Sequence, residues 1–194
     1  LDVYDKYPEL LAERDDCYLD RIVLLSQQGR YEEAIHAAKI KHFHIYEGGE
    51  GNLTKQHAWM HVLYGNALAA EGKTEAAHKA YLDGIDLPKS YGEAKTWFNQ
   101  EAHIYFYLGN LLAQEGHPDE ARKAYEEASV PKAIVSELSM FRGLALRKLM
   151  LFTEAEQVLQ EMIDTGTSQI ENSDLRAYYG VGAPTPMPFE YDIV

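Results

Sequence analysis

The chain has 194 residues, of which 31 are acidic and 18 basic, and its formal net charge is -13. This charge repels nucleic-acid phosphates and anionic membrane surfaces, so neither is an expected partner. Because 46% of the residues are hydrophobic, the chain can bury a substantial core, whereas no apolar run approaches the roughly 20 residues that span a membrane.

The single cysteine and the first residue bear on where the protein works. Cys17 has no second cysteine to pair with, so no intrachain disulfide can form, and a lone thiol fits a reducing compartment. The chain starts at Leu1 rather than at a methionine and shows no signal peptide there. We therefore expect a cytoplasmic protein that is a piece of a longer polypeptide.

Apolar residues recur with helical periodicity along most of the chain, which predicts a series of helices. The predicted bounds in chain order are 9–28, 31–42, 54–71, 74–86, 92–115, 118–129, 132–149 and 152–165, with a short turn at 172–178. A glycine or a short polar turn ends each first helix, and Thr74, Pro118 or Thr153 starts the second. The helices are therefore expected to form antiparallel pairs.

Internal similarity is the strongest signal in the sequence. The stretch YGNALAAEGKTEAAHKAY at 64–81 matches LGNLLAQEGHPDEARKAY at 108–125, at an offset of 44 residues. A further copy at 141–159 follows at an offset of 34, and a weaker copy at 24–38 precedes at an offset of 43. A single helix pair cannot bury its apolar face alone, so neighbouring copies are expected to stack into a solenoid.

Small and large residues recur at fixed places where the two helices of a copy would cross. The small residues are Gly65, Gly109, Gly143, Ala34, Ala77, Ala121 and Ala155, and the large ones are Tyr81, Tyr125 and Leu159. A small residue lets two helices approach closely, and the large one fills the groove beside it. Ile22 replaces the first glycine in the first copy, and Met150 replaces the turn glycine in the fourth.

This glycine and alanine spacing on a 34-residue unit resembles the tetratricopeptide repeat, over roughly residues 15–165. The resemblance implies an all-α fold, a right-handed α-solenoid of about four antiparallel helix pairs with enlarged loops between repeats. The expected domain covers residues 1–177, and an extended, proline-rich tail covers residues 178–194. The offsets of 43 and 44 place extra residues between copies one and two and between copies two and three.

A narrower resemblance concerns the region around the first enlarged loop. It is similar to the repeat region of large bacterial proteins of unknown function, in which a β-sandwich domain of the carbohydrate-active or mutarotase-like kind precedes the repeats. The residues that carry it are Arg14, Asp16, Gly29 to Ala34, Phe43, His44 and Glu47 to Gly51. The resemblance implies that this chain is the C-terminal part of such a protein.

The first enlarged loop contains HFHIYEGGEGN at 42–52, which allows three interpretations. A metal site could use the histidines and glutamates as ligands. A phosphate site could use the glycine N–H groups, but no lysine follows and the glutamates repel phosphate. We favour an ordered elbow, which could also dock on a neighbouring domain. The candidate docking residues are His42, Phe43, His44, Tyr46, Glu47 and Glu50.

In tetratricopeptide-like solenoids the first helix of each pair lines a concave groove. The candidate groove residues are Trp59, Val62, Asn66, His103, Phe106, Asn110, Gln114 and Arg147. Asn66 and Asn110 occupy matching positions, where an asparagine can hold an extended peptide backbone or can bond to a neighbouring helix. Leu19, Val62 and Phe106 stand where a carboxylate clamp would need a basic residue, so such a clamp is not expected.

No catalytic motif is present, and adjacent acids such as Glu126 and Glu127 point in different directions on a helix. We therefore expect a non-catalytic interaction module that needs no cofactor and no metal. Its partner would be a protein or peptide, with the preceding domain of its own chain as one candidate. The alternative is an accessory domain that lends loop residues such as Glu47, Glu50 or Trp97 to a neighbouring sugar site.

The last segment, YYGVGAPTPMPFEYDIV at 178–194, has prolines that exclude a helix. It is either a frayed tail or linker, or a segment that packs on its own last helix pair or on another molecule. In the second case Met187, Phe189 and Tyr191 would be buried, and self-association through the tail becomes possible.

Overall fold

The computed structural model describes residues 1–44, 49–93, 95, 101–132 and 134–171, and within these ranges there are helices and loops but no strand. The helices are α1 (Asp2–Lys6), α2 (Pro8–Glu13), α3 (Asp15–Gln27), α4 (Tyr31–Ile40), α5 (Asn52–Ala70), α6 (Thr74–Asp83), α7 (Ala102–Gln114), α8 (Pro118–Ala128), α9 (Ser139–Lys148) and α10 (Phe152–Glu171). One turn of 3-10 helix, Lys89–Tyr91, lies between α6 and α7.

The long helices stack as four antiparallel pairs, which are α3 with α4, α5 with α6, α7 with α8 and α9 with α10. The second helix of each of the first three pairs also packs on the first helix of the next pair, and the first helices contact one another in sequence from α3 to α9. The predicted all-α solenoid of four pairs is therefore confirmed. The division of the chain at residue 177 stays a prediction, because it lies outside the described residues.

Several predicted helix boundaries are wrong, and each has a local cause. The predicted helix 9–28 is two helices, because Arg14 has extended dihedral angles of -114° and 103° between α2 and α3. In the regions of the predicted helices 92–115 and 132–149, α7 begins at Ala102 and α9 at Ser139, and the described residues before them, 92–93, 95, 101, 132 and 134–138, are not α-helical. Helix α10 continues to Glu171, beyond the predicted end at 165.

The expected contacts between small and large residues are present in three of the pairs. A Cβ atom added to Gly65 would lie 2.4 Å from Cε1 of Tyr81, and one added to Gly109 would lie 2.6 Å from Cε1 of Tyr125. At Gly143 the equivalent distance to Cγ of Leu159 is 2.7 Å. These separations are shorter than real carbon contacts, so glycine is required for the helices to approach this closely.

The turns inside the pairs need a backbone conformation that favours glycine. Gly29, Gly72 and Gly116 end the first helices of three pairs with φ angles of 75°, 76° and 82°. In the fourth pair Met150 holds the same place with φ of 64°, and it is the non-glycine residue with positive φ among the described residues. The side chain of Met150 is 70% exposed, so it gains little packing in return for the unfavourable backbone conformation.

We expect Met150→Gly to raise the free energy of unfolding by about 1 kcal/mol, because glycine adopts positive φ without the Cβ penalty. The reverse change, Gly116→Met, should lower it by a similar amount. No atom lies within 4 Å of a Cβ added to Gly116, so its loss would be conformational rather than steric. Urea denaturation measures both variants, and an unchanged or lower stability for Met150→Gly would contradict the assignment of strain to this turn.

Three histidines are buried in the solenoid. His57 and His61 on α5 have ring centroids 4.6 Å apart, and His103 at the start of α7 lies between Trp59 and Phe141. Burial lowers the pKa of His61 to about 4 and that of His103 to about 3, and it also lowers the pKa of His57. These rings are therefore neutral in the folded protein at neutral pH.

The buried histidines should make the protein sensitive to mild acid. Their pKa values are lower in the folded than in the unfolded chain, so the unfolded state binds more protons below about pH 6.5, and stability falls as the pH decreases. Between pH 6.5 and 5, two to three protons give a slope of about 3–4 kcal/mol per pH unit. Denaturation as a function of pH measures this slope.

His103→Phe provides the matched variant, because it removes one titrating group and keeps an aromatic ring in the same place. The slope should decrease by about 1.4 kcal/mol per pH unit, whatever the offset in stability that the new packing causes. An unchanged slope would mean that His103 does not take up a proton on unfolding in this pH range.

Within the described ranges no helix combines the length and the apolar character that crossing a lipid bilayer requires.

Candidate functional site

The two enlarged loops between pairs contact each other, and we call their contact region the insert junction. It comprises residues 41–44 and 49–51 of the first loop and residues 84–93 of the second. The backbone N–H of Phe43 donates to the carbonyl oxygen of Ser90 at 3.1 Å, and the Ser90 hydroxyl donates to the carbonyl oxygen of Lys39 at 3.2 Å. The two loops are therefore joined by hydrogen bonds at one edge of the solenoid.

Aromatic packing holds the insert junction on the helices. The rings of Phe43 and Tyr91 are both buried and meet edge to face, with centroids 5.9 Å apart. Phe43 also meets Tyr18 of α3 edge to face at 6.0 Å. Each such contact is worth about 0.5–1.5 kcal/mol beyond the area that it buries. One ring from each loop thus fixes the junction against the first two helix pairs.

A second contact between the loops lies at the start of α5. Gly51 precedes the helix with φ of 82°, and its N–H donates to Oε1 of Glu93 at 3.0 Å. The Glu93 carboxylate therefore lies at the positive end of the α5 dipole, where a negative charge is favourable. Its other oxygen, Oε2, is buried and has no hydrogen-bond partner within the described part of the chain.

Glu93 also lines a small cavity in the insert junction. The lining residues are Asp15, Leu19, Phe43, His44, Gly49, Leu53, Tyr91 and Glu93. Its volume is about 20 Å³ for the centre of a water molecule, which is enough for about one water. The cavity is too small for a sugar or a nucleotide, so the junction as it stands is a joint rather than a substrate pocket.

An ion pair connects the first loop to α3. Asp15 Oδ1 lies 2.7 Å from Lys41 Nζ, and Asp15 Oδ2 accepts a hydrogen bond from the backbone N–H of His44 at 2.6 Å. Burial raises the pKa of Asp15, but the hydrogen bonds from Lys41 and His44 outweigh it, and the pKa is lowered overall. Asp15 therefore remains charged and holds both Lys41 and His44 in place.

His57 links the second loop to α5. Its Nε2 lies 3.0 Å from the carbonyl oxygen of Asp83, so Nε2 carries the proton. Its Nδ1 then accepts a hydrogen bond from the Tyr91 hydroxyl, also at 3.0 Å. Histidine and tyrosine can exchange protons in catalysis, but both of these side chains are almost completely buried, so a substrate has no access to them.

The predicted docking residues divide between the interior and the surface. His42 and His44 are exposed, with ring centroids 5.3 Å apart, and Glu50 is exposed in the turn before α5. Phe43 does not face a partner, because its ring fills the space between Tyr18 and Tyr91. Tyr46 and Glu47 lie outside the described residues.

The metal interpretation of this loop finds no ligand set. Among residues 1–44, 49–93, 95, 101–132 and 134–171, no three side chains of His, Cys, Asp or Glu are placed together to hold a metal ion.

The predicted groove is largely filled by the chain itself. Val62, His103 and Phe106 have exposed fractions of 0%, 1% and 9%, so they belong to the core and do not line an open groove. The cause is the close approach of α5, α7 and α9, whose aromatic side chains meet one another. Trp59 is half-buried, with its ring 4.6 Å from His103 and 5.9 Å from Phe141 by centroids.

A salt bridge closes the same end of the groove. Lys55 of α5 lies 2.6 Å from Glu137, which precedes α9, so the second pair contacts the fourth across the start of α7. Beneath it, neither ring nitrogen of His103 has a hydrogen-bond partner in the part of the chain that the structure describes. Gln114 and Arg147 are exposed near the opposite end of their helices, by the turns.

The two matching asparagines serve the fold. Oδ1 of Asn66 accepts a hydrogen bond from the Tyr81 hydroxyl at 2.7 Å, and Oδ1 of Asn110 accepts one from the Tyr125 hydroxyl at 2.9 Å. Each asparagine therefore bonds to the second helix of its own pair. Of the two interpretations given for these asparagines, the bond to a neighbouring helix is the one observed. The hydrogen bond holds the large tyrosine against the small glycine.

Sequence reasoning missed Asp15, Tyr91 and Glu93 as members of the junction. The signal that could have found them is the position of the two enlarged loops, which follow α4 and α6 at equivalent places in consecutive pairs. Loops that leave the same edge of neighbouring pairs meet, so the polar and aromatic residues of one are expected to contact the other.

Comparison with known proteins agrees with this architecture at one helix pair. The profile of the tetratricopeptide repeat family matches residues 102–129, which hold α7 and α8. No curated protein matches the chain. Among the solved structures, a chain described as "Crystal structure of MamA" is similar at 19% identity and a TM-score of 0.38, over 85% of this chain and 87% of that one. The family match thus supports a tetratricopeptide-like helix pair at α7 and α8, within the helical solenoid described above.

Removing the Tyr91 hydroxyl tests how the junction is held. We expect Tyr91→Phe to lower the free energy of unfolding by about 1–3 kcal/mol, because the change leaves Nδ1 of His57 buried without a donor. The ring contact with Phe43 is kept. Urea denaturation measures the loss, and Tyr64→Phe is a suitable control, since its hydroxyl bonds an exposed carboxylate of Glu32. Equal effects at the two positions would argue against a special role for His57.

Proposed function

We propose that this chain is a non-catalytic protein-interaction module of a larger bacterial multidomain protein that works in the cytoplasm. In this proposal the insert junction is the docking element, and its partner is the domain that precedes the repeats in the same polypeptide. The second candidate partner is an external protein or peptide.

The observation that carries the proposal is that the described parts of the two enlarged loops, residues 41–44 and 49–51 of the first and 84–93 of the second, are joined to each other. Hydrogen bonds at Phe43 and Gly51 join them, and buried rings hold them on α3 and α5. Residues that are held in place before binding lose little conformational entropy when a partner docks on them. The exposed side chains of His42, His44 and Glu50 then lie on a rigid base.

The filled groove supports the same choice. A peptide that bound along α5 and α7 would have to displace Trp59 from His103 and Phe141 and break the pair between Lys55 and Glu137. Binding energy would be consumed by that rearrangement before any new contact formed. The edge that carries the insert junction requires no such opening.

The alternative, an accessory domain that completes a sugar site, depends on Glu47, Glu50, Trp59 and Trp97. Glu47 and Trp97 lie outside the described residues, and Trp59 stacks on its own chain rather than on solvent. Loss of activity of the full-length protein on changing Glu47, Glu50, Trp59 or Trp97, with folding intact, would favour this alternative.

Calorimetric titration of this chain with the remainder of its full-length polypeptide tests the proposal. We expect binding that weakens at least tenfold in the double variant Glu47→Ala/Glu50→Ala and also in His42→Ala/His44→Ala. The matched control is His78→Ala/His117→Ala, which changes two histidines on other parts of the solenoid. Absence of binding by a chain whose circular dichroism shows intact helices, or equal affinity in all variants, would contradict the docking role. External partners would then be the candidates.

A further inference from the structure

We infer that the exposed part of the apolar side of α10 is a docking surface for the chain's own C-terminal segment, residues 178–194. The inference concerns the opposite end of the solenoid from the insert junction and does not depend on the proposed docking function.

The face is defined by an apolar stripe along α10. Phe152, Ile163 and Ile170 are spaced eleven and seven residues apart, so they lie on one side of the helix, the side on which Leu159 packs against Gly143 of α9. Phe152, Ile163 and Ile170 have exposed fractions of 46%, 57% and 68%. A run of large apolar side chains on one exposed side of a helix is unusual in a folded protein and indicates that something covers it.

The architecture explains why the stripe exists. Helices α4, α6 and α8 each pack on the first helix of the next pair, whereas α10 packs on α9 and has no following helix within the described residues. Helix α10 has 20 residues against 10 in α9, about 30 Å against 15 Å, so its second half extends past its partner. The end of a solenoid needs a cap over this surface.

The length and position of the remaining chain favour the C-terminal segment as the occupant. Residues 172–194 begin where α10 ends, and when extended they reach about 75 Å, well over the 30 Å length of the helix. They can therefore return along the whole stripe to Phe152. Prolines at 184, 186 and 188 exclude a fifth helix, so the cap is an extended segment rather than another repeat.

The chemistry of the segment also fits. Residues 178–189, YYGVGAPTPMPF, carry no charge, so burying them requires no desolvation of ions. Met187, Phe189 and Tyr191 supply three large apolar or aromatic side chains within five residues of the segment. Helix α10 carries five acidic and no basic residues, and a neutral segment adds no like charge beside them. Proline restricts the free segment, which reduces the entropy lost on docking.

Disulfide trapping tests the inference on the full chain. In a Cys17→Ser background, the pair Ile163→Cys/Phe189→Cys places one thiol in the stripe and one in the segment. The matched control, Glu161→Cys/Phe189→Cys, has nearly the same separation along the chain, but residue 161 lies about 160° around the helix from residue 163. We expect an intramolecular disulfide to form in a glutathione buffer with at least tenfold higher effective concentration in the first pair.

Three results would overturn the inference. They are equal effective concentrations in the two pairs, no disulfide in either, or a disulfide-linked dimer, which would make a second copy the occupant. Amide hydrogen exchange of residues 163–171 gives a check that needs no cysteine. Exchange should accelerate at least tenfold in the variant Met187→Ser/Phe189→Ser/Tyr191→Ser, and Ile40→Ser, at a distant exposed position, should leave it unchanged. Unchanged exchange in the triple variant would also overturn it.

Discussion

The close contact between a glycine on the first helix and a large side chain on the second is the constraint on which this structure depends. At Gly65 and Gly109 the ring of a tyrosine occupies the space that a Cβ would need, and the tyrosine hydroxyl then bonds an asparagine one residue further along the first helix. The three residues therefore act together. Glycine permits the close approach, tyrosine fills the space beside it, and asparagine fixes the orientation of the tyrosine ring. The distance between the two helices of a pair follows from this contact.

The fold could be predicted from the sequence because the repeat signal and the packing signal are carried by the same residues. Gly109 and Tyr125 mark the repeat in the alignment, and they also touch in the structure. Boundaries were less predictable where a loop residue has good helical propensity. Arg14, for example, has good helix propensity, but it is extended in the structure, and the chain turns there to place Asp15 against Lys41 and His44.

The candidate site was only partly predictable, for a physical reason. Position in a repeat gives the direction in which a side chain leaves its helix, and this is why Val62, His103 and Phe106 were assigned to the groove. Position in a repeat does not give the distance to the first helix of the following pair, and this distance decides whether the groove side is open or filled. Likewise, the loop at 42–52 was identified by its composition, but its contacts with Tyr91 and Glu93 come from a second loop about 40 residues later.

The salt bridge between Lys55 and Glu137 has a mechanical consequence. It joins the second pair to the fourth across the third, in parallel with the ring contact between Trp59 and Phe141. Most helical repeats contact only their nearest neighbours, so the interfaces between them can open one at a time when the solenoid is stretched. Here the interface between the second and third pairs and the interface between the third and fourth pairs must open together under a force along the solenoid axis. We therefore expect the last three pairs to resist extension more than an array with nearest-neighbour contacts only.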